Sequence, residues 1–380
     1  MRPNTYLLFF IPLLASLSCA RETEGEESSP VSLSPRIAGV SLTRSGINEA
    51  NEIDAIGFYA VGKDKDDATT YYGTWPAGIY GKYVRTTQSG HTTFIPDNSA
   101  STDQALWLVP EKDATIFSCH PVPANGANDI VDAGKLKEDG TPADGTVTIS
   151  VPVPVIPVVP ASTIDLSPIL PADGNTDFTT PENDYMYGVA YDESKAEADR
   201  FTTSQPVANG NRTGGTVNQS GPSVAIGMKH AFVQLKLILK KGDSYPGTPI
   251  VSEVKYARSM QTLTANTKMK LTDGTFLGTT AANAYTYNLV SGSKGKEVET
   301  GNDIIITSYA LPCAKAASTI SLTVDNKDMS IAYGDDPEWV AGKIYTYAVT
   351  INGTGLSFSG VSVVSWNAPD DDSNDSSGTL

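Results

Sequence analysis

The chain has 380 residues, enough for about two domains, and a formal net charge of −16 at pH 7. This charge argues against nucleic acid or an anionic membrane surface as a partner, because the phosphates of either would repel the protein. Lysine and arginine are scattered along the chain and form no basic stripe.

Residues 1–18 are predicted to be a signal peptide. Arg2 supplies a positive charge, and residues 6–15 form an apolar run that is too short and too broken by proline to span a membrane. Ser18 and Cys19 follow, and a small residue before a cysteine is what a lipoprotein signal peptidase cuts. We therefore expect Cys19 to carry a lipid. The alternative is an ordinary secretory signal that contains a cysteine.

Residues 19–36 predict a flexible tether, because glutamate and polar residues dominate this stretch and it has too few apolar side chains to form a core. If Cys19 is lipidated, the lipid is the only membrane anchor that the sequence predicts. No later apolar run is long enough to cross a bilayer.

Beyond the tether, the chain is a series of β-patterned segments separated by turns, with almost no helical periodicity, which predicts an all-β fold. We place a first domain at residues 37–205. Its predicted strands are Ile37–Thr43, Ile53–Val61, Tyr83–Ile95, Ala105–Val109, Ala114–Cys119, Thr146–Val151 and Asp184–Tyr191.

A polar stretch at Thr203–Pro222 predicts the boundary, and a second domain is placed at residues 206–355. His230–Lys241 alternates cleanly between apolar and polar residues, as an antiparallel strand with one wet face does. The further predicted strands are Val251–Ala257, Asn288–Val290, Asp303–Leu311, Thr319–Asp325, Met329–Tyr333 and Ile344–Ile351. About seven strands in each half predict two antiparallel β-sandwich domains in tandem.

Nothing in the sequence predicts an enzyme, a metal site or a cofactor. The three histidines, His91, His120 and His230, have no triad-like or metal-spaced partner, so we expect structural roles for them. Cys119 and Cys313 lie in apolar, strand-like contexts. An oxidising compartment permits a disulfide between them, but these contexts favour two buried free thiols.

Several local patterns, in their order and spacing, resemble the fimbrillins of Bacteroidetes, which are lipoprotein-derived (type V) pilins. The resemblance covers nearly the whole chain. It is carried by the lipoprotein signal motif that ends at Cys19 (the lipobox) and by the acidic tether. It is also carried by residues 114–121 (ATIFSCHP), 184–188 (DYMYG), 229–236 (KHAFVQLK), 311–312 (LP), 339–353 (WVAGKIYTYAVTING) and 363–366 (VVSW). It implies two transthyretin-like sandwich domains.

The resemblance also implies an assembly mechanism. In family stalk subunits an arginine-specific protease cuts the lipidated precursor after an arginine that follows the first strand. Here Ile37–Thr43 is the expected removable strand and Arg44, in a Ser-Gly turn, is the expected cleavage site. Arg36 is the second choice, because a cut there would leave that strand in place.

Loss of the first strand is expected to open a groove that a carboxy-terminal strand of another copy fills. Residues 356–380 are the candidate donor strand with an acidic tail, and Gly360 is expected to introduce a bulge or kink that divides the strand into two short segments. The donor side chains are predicted to be Leu356, Phe358, Val361, Val363, Val364 and Trp366.

The sequence thus predicts a fimbrial stalk subunit that is exported to the outer membrane as a lipoprotein precursor and then polymerised at the cell surface. Its expected partners are copies of itself, related pilus subunits, the protease and an unidentified surface receptor. A fimbrial tip adhesin or anchor and a surface glycan-binding lipoprotein are the alternatives. A glycan-binding protein would present exposed aromatic platforms and would need no cut at arginine.

Overall fold

A computed structural model describes residues 29–30, 32–37, 53–62, 79–88, 91–97, 107–108, 114–123, 130–132, 147–150, 176, 184–196, 199–208, 223–264, 267–290 and 295–366. The regular elements of these ranges are β-strands, so the all-β prediction is confirmed. None of the ranges contains a helix of the length and apolarity that a membrane span requires.

The strands that precede residue 210 are mostly short. They are β1 (Ser29–Pro30), β2 (Ser32–Ile37), β3 (Ala55–Gly62), β4 (Ile79–Gln88), β5 (His91–Pro96), β6 (Trp107–Leu108), β7 (Ala114–His120), β8 (Ile130–Asp132), β9 (Val147–Ser150), β10 (Met186–Ala190) and β11 (Val207–Ala208).

Longer strands follow residue 222. They are β12 (Ser223–His230), β13 (Val233–Lys241), β14 (Ile250–Thr262), β15 (Lys268–Lys270), β16 (Phe276–Leu277), β17 (Thr280–Asn288), β18 (Lys296–Glu297), β19 (Ile304–Ala310), β20 (Ala316–Val324), β21 (Lys327–Asp336), β22 (Lys343–Asn352) and β23 (Gly355–Ser365).

The first large sheet has the strand order β10-β12-β2-β5-β4-β3-β7-β11, and β10 also pairs with β7. The pairing therefore runs from β10 through β2 and β3 and back to β10. Among the described strands of this sheet, the only parallel pair is β12 with β2. The enclosed core consists of large apolar side chains that are almost fully buried, including Ile56, Phe58, Tyr83, Phe94, Ile116, Met186, Ile226 and Met228.

Two sheets form the second half of the fold, with orders β19-β13-β22-β23 and β17-β14-β20-β21. They pack face to face, because Tyr256 of β14 contacts Tyr347 of β22 with ring centroids 5.0 Å apart. The Tyr287 hydroxyl of β17 lies 2.6 Å from the Ser308 hydroxyl of β19. The alternation predicted for the strand at 230–241 produces the inner face of β13, where Leu235, Leu237 and Leu239 are fully buried.

A small antiparallel sheet joins the two halves of the chain. Its order is β16-β15-β9-β8, so the β8–β9 hairpin from the first half pairs with the β15–β16 hairpin from the second. The core of the second half also includes Tyr59, Phe117 and Cys119 of the first sheet. The two halves of the fold therefore share both a sheet and a hydrophobic contact.

Several strand boundaries differ from the sequence-based ones. The predicted strand Tyr83–Ile95 is the two strands β4 and β5, and the predicted strand Asn288–Val290 overlaps β17 only at Asn288. The predicted strand at 230–241 is broken at Ala231–Phe232, so His230 ends β12 and Val233 begins β13. Because β12 pairs with β10 and β2, the division between the large sheets falls after His230, whereas we placed the domain boundary at 206. The first strand of the large sheet spans Ser32–Ile37, within the predicted tether, and residues 38–43 of the predicted strand Ile37–Thr43 lie outside the described ranges.

Candidate functional site

The amino-terminal strand β2 fills a gap in the first sheet. It pairs in parallel with β12 over six positions, from Ser32 opposite Ser223 to Ile37 opposite Met228. Its pairing with β5 on the other side is antiparallel and, in the described residues, is confined to Leu33 opposite Phe94. β2 is thus paired more extensively with β12 than with β5.

The strands that border β2 carry part of the first core. Phe94 of β5 and Ile226 and Met228 of β12 are fully buried. If β2 left, the facing edges of β12 and β5 would present unpaired N–H and C=O groups beside this core. Such an edge is a template for pairing with another strand. The position of β2 therefore defines a groove between β12 and β5 that is one strand wide.

The structure changes the expectation for Arg36. This residue lies inside β2, opposite Gly227, so a cut after it would separate all of β2 except Ile37. The removable strand of the sequence analysis was Ile37–Thr43, of which only Ile37 lies in the described ranges, so Arg36 and Arg44 both stay candidate cleavage sites. Arg44 and Cys19 lie outside the described ranges.

The candidate donor segment is one strand, β23, at the open edge of its sheet. It pairs antiparallel with β22, from Gly355 opposite Asn352 to Ser365 opposite Lys343. The expected bulge is present: Tyr347 pairs with Val361 and Val349 with Phe358, so one residue of β22 faces Ser359 and Gly360. Gly360 has a φ of 117°, which favours glycine. The bulge bends one continuous strand and does not divide it in two.

The bulge decides which donor side chains face the core. Leu356, Phe358 and Val361 are partly buried and pack against the core of the second half. Val363 and Val364 are 45% and 44% exposed. The six predicted donor residues therefore do not form one uniform apolar stripe in this chain.

The side chain of Trp366, which follows β23, is buried in a separate site beside His230, which we call the Trp366 seat. Its indole is stacked on the imidazole of His230, with ring centroids 4.2 Å apart and planes 3° from parallel. The Nδ1 atom of His230 lies 3.0 Å from Oδ1 of Asp184. All three side chains are buried. No pattern in the sequence indicated that residues 184, 230 and 366 meet, although each lies in a motif that carries the family resemblance.

A buried polar cluster supports β22, the strand on which β23 docks. Tyr347 donates a hydrogen bond of 2.8 Å to Oδ1 of Asp336, and Nη1 of Arg258 lies 3.2 Å from Oδ2. The guanidinium also donates to the carbonyl of Ala314 and stacks over Trp339. Burial raises the pKa of Asp336 to about 7, while the Tyr347 hydrogen bond opposes this shift.

His120 and both thiols are structural. His120 lies with Nδ1 2.9 Å from the carbonyl oxygen of Ala55 and is buried. Cys119 and Cys313 are free, the first buried and the second half-buried. Burial raises the pKa of the Cys119 thiol to about 12. The residues that the structure describes contain no cluster of histidine, cysteine and acidic side chains able to hold a metal ion.

Comparison with known proteins finds one matching family model and several similar solved structures. A family model described as fimbrillin-like matches residues 161–366. A candidate cell adhesion protein from Bacteroides ovatus is similar in structure, with 15% identity and a TM-score of 0.50 over 89% of this chain and 98% of that one. At this identity the likeness concerns the fold. A search of curated proteins finds no match.

Two further solved structures are similar to the chain. A fimbrial protein from Bacteroides vulgatus has 11% identity and a TM-score of 0.48, with 88% of this chain and 99% of that one covered. The tip fimbrial protein Mfa3 from Porphyromonas gingivalis, with a carboxy-terminal truncation, has 11% identity and a TM-score of 0.40, with 89% and 100% covered.

Proposed function

Because the matched residues 161–366 make up more than half of its length, this chain belongs to the fimbrillin-like family, and we propose that it is a stalk subunit of a surface fimbria, assembled by strand exchange. In this proposal the subunit is delivered as a lipoprotein precursor, cut after an arginine, and joined to other copies of itself or to related subunits. The fimbria supports adhesion to a surface receptor.

The position of β2 is the observation that supports strand exchange best. This strand is the element of the first sheet closest to the amino terminus, and it lies between β12 and β5 and not at an edge. A cut after Arg36 or Arg44 disconnects all or nearly all of it from the rest of the chain. The strand would then leave together with Cys19 and its lipid, so the lipid anchor would serve delivery.

The position of β23 supports its role as donor. It is an edge strand of eleven residues, paired on one side only within the described fold, at the carboxy-terminal end of that fold. Transfer into another subunit would exchange its partly exposed apolar side chains for burial on a core. Each fully buried side chain of this kind contributes about 1.5–3 kcal/mol, and ordering of the strand offsets part of that gain.

The glycan-binding alternative loses support from the tryptophans. The chain has four, and two of them, Trp339 and Trp366, are almost fully buried and cannot stack on a sugar. The side chains of Trp75 and Trp107 lie outside the described residues. Within the described part of the chain, no feature favours a sugar platform over the strand groove.

Limited trypsin treatment of the chain without residues 1–18, followed by measurement of mass and oligomeric state, tests the proposal. We expect one early cut after Arg44 or Arg36 and then a ladder of polymers that resists mild detergent. Arg44→Ala and Arg36→Ala, made singly, show which cut is required, and the double variant should remain monomeric. A cut chain that loses β2 yet stays monomeric would contradict strand exchange.

A truncation before Leu356 separates the two halves of the mechanism. The shortened chain keeps the groove but lacks the donor, so it should cap growing polymers when it is mixed with the cut full-length chain. The expected result is shorter polymers at higher proportions of truncated chain, measured by gel filtration. Unchanged polymer length would show that β23 is not the donor.

A further inference from the structure

The Trp366 seat lies at the end of β12, the strand that pairs with β2. Residues Ser223–Met228 of β12 pair with β2, and two residues later His230 ends the strand opposite Met186 of β10. The chain then turns through Ala231 and Phe232 into the second half of the fold. One strand therefore contacts the occupant of the groove at one end and the end of the donor segment at the other.

The orientation of the His230 ring is fixed from the first half of the fold. Asp184, two residues before β10, accepts or shares the proton of Nδ1 at 3.0 Å, and the two side chains are 1% and 0% exposed. The backbone N–H of Ala231 also donates to the carbonyl of Tyr185 at 2.8 Å. The ring can therefore keep its place only while the end of β12 stays in register with β10.

Trp366 is the main anchor of the donor segment. It is the only fully buried residue of the stretch 355–366, whereas Val363 and Val364 just before it are exposed. Its indole also lies 5.8 Å from the ring of Tyr309, and its backbone N–H donates to Gly342 at 2.9 Å. The two exposed valines give this end of β23 little apolar attachment of their own, so the indole supplies its buried contact, in addition to the backbone pairing with β22.

We infer that Trp366 is a latch that couples the groove to the donor strand. While β2 occupies the groove, β12 holds His230 in place, and Trp366 stacked on that ring keeps β23 on its own chain. When β2 leaves, β12 loses its parallel backbone pairing with that strand. The position of His230 is then held less firmly, the stacking of Trp366 on it weakens, and β23 is freed for transfer. This inference rests on the proposed strand exchange. It adds that a subunit releases its donor strand only after its own groove has been opened.

Coupling between two sites is reciprocal, which allows a test on the uncut chain. If loss of β2 loosens Trp366, then loss of the Trp366 side chain must loosen β2. The measurement is amide hydrogen exchange, followed by mass spectrometry, of the segments 32–37 and 355–365 in the wild type and in Trp366→Ala. We expect both segments of the variant to exchange roughly tenfold faster, a coupling at the low end of typical values.

Phe358→Ala is the matched control. Phe358 belongs to the same strand, and its ring contacts Tyr333 and Tyr347, on the far side of the bulge from the Trp366 seat. The substitution should speed exchange in 355–365 and leave 32–37 unchanged. If Trp366→Ala also leaves 32–37 unchanged, Trp366 is an anchor without coupling and the inference is wrong.

The amides of β13 report whether the variants are folded. If Trp366→Ala also accelerates hydrogen exchange in β13, the variant is broadly destabilised and Trp366→Phe is used in its place. The comparison of hydrogen exchange in 32–37 and 355–365 then decides whether the two segments are coupled. Polymerisation after cleavage is a separate readout. If the cut chain polymerises but Trp366→Ala does not change hydrogen exchange in 32–37, only the latch is overturned. If hydrogen exchange in 32–37 and 355–365 is coupled but the cut chain does not polymerise, only the proposed assembly is overturned.

Discussion

The ring of Tyr187 lies so close to Gly274 that a Cβ atom on this glycine would be 2.3 Å from Cε1 of the tyrosine. Tyr187 belongs to β10 in the first half of the chain, and Gly274 lies between β15 and β16 in the second. The side chain of Gln205 also donates to the carbonyl of Thr272, 2.8 Å away. These contacts lie at the same junction that the antiparallel four-stranded sheet spans.

Gly274→Ala is expected to destabilise the protein through this contact. The methyl group would overlap the Tyr187 ring, and the φ of 73° is unfavourable for any side chain. We expect the free energy of unfolding to fall by about 2–4 kcal/mol, measured by urea denaturation.

Gly247→Ala provides the matched control for that substitution. Its φ is 80°, but no atom of the described residues lies within 4 Å of the added methyl group, so only the backbone strain applies. The expected cost is about 1 kcal/mol. Equal losses for the two variants would show that the Tyr187 contact does not matter.

Asp336 is expected to give the second half of the fold a pH-dependent stability. The pKa of its carboxyl is about 7 in the folded chain, whereas the ordinary pKa is 3.8. Between these values the folded state binds more protons than the unfolded state. This contribution is therefore complete below about pH 4 and is lost as the pH rises to about 7.

The measurement compares urea denaturation of the wild type and Asp336→Asn between pH 5 and 8. Over the full window the wild type should lose on the order of 2–4 kcal/mol through this group, a loss that the asparagine variant does not show. Parallel pH profiles of the two proteins would show that Arg258 keeps the carboxylate ionised throughout.

The periodicity of the sequence was sufficient to predict several long strands of the second half, such as β13 and β22, but it missed nearly all of β17 and the short strands β15, β16 and β18. In β13 the more exposed positions alternate with Leu235, Leu237 and Leu239. This pattern depends only on local burial. Apart from Ile37, the residues of β2 were not predicted to form a strand, because they lie in the stretch 19–36 that its polar composition assigned to a tether. The pairing of β2 with β12 over six positions depends on where a distant segment of the chain is placed, which no local pattern records.

The seat of Trp366 lay beyond any local pattern. Asp184, His230 and Trp366 come from three distant segments, and their contact depends on how β10, β12 and β23 are placed in two different sheets. A buried histidine can be expected from an apolar strand, but its stacking partner cannot. The bulge at Gly360 was predictable because it rests on a local glycine and a change of phase.

Gly360→Ala is expected to loosen the edge strand without affecting the core. In the described part of the chain no atom lies within 4 Å of the added methyl group, so the cost arises from the φ of 117° and is about 1–2 kcal/mol. Hydrogen exchange of the amides in 355–365 should accelerate, while exchange in β13 should not change. Unaltered exchange in both segments would show that the bulge does not need glycine.

Phe232→Ala tests whether the two halves unfold as one unit. Phe232 is fully buried at the turn between them, stacked on Phe276 and Tyr309 with ring centroids 4.9 and 5.3 Å away, and it meets the ring of Tyr185 edge-on at 5.9 Å. Removing such a ring costs about 3–5 kcal/mol, whereas Phe232→Leu keeps most of the volume and should cost less.

Because this cluster joins the residue before β10 to β16 and β19, the loss in Phe232→Ala should appear in both halves of the fold. Far-ultraviolet circular dichroism and tyrosine fluorescence are expected to report one urea transition, shifted by the same amount for both probes. Two separated transitions in the alanine variant, with a single one in wild type, would show that Phe232 holds the halves together. Two transitions already in the wild type would contradict a single cooperative unit.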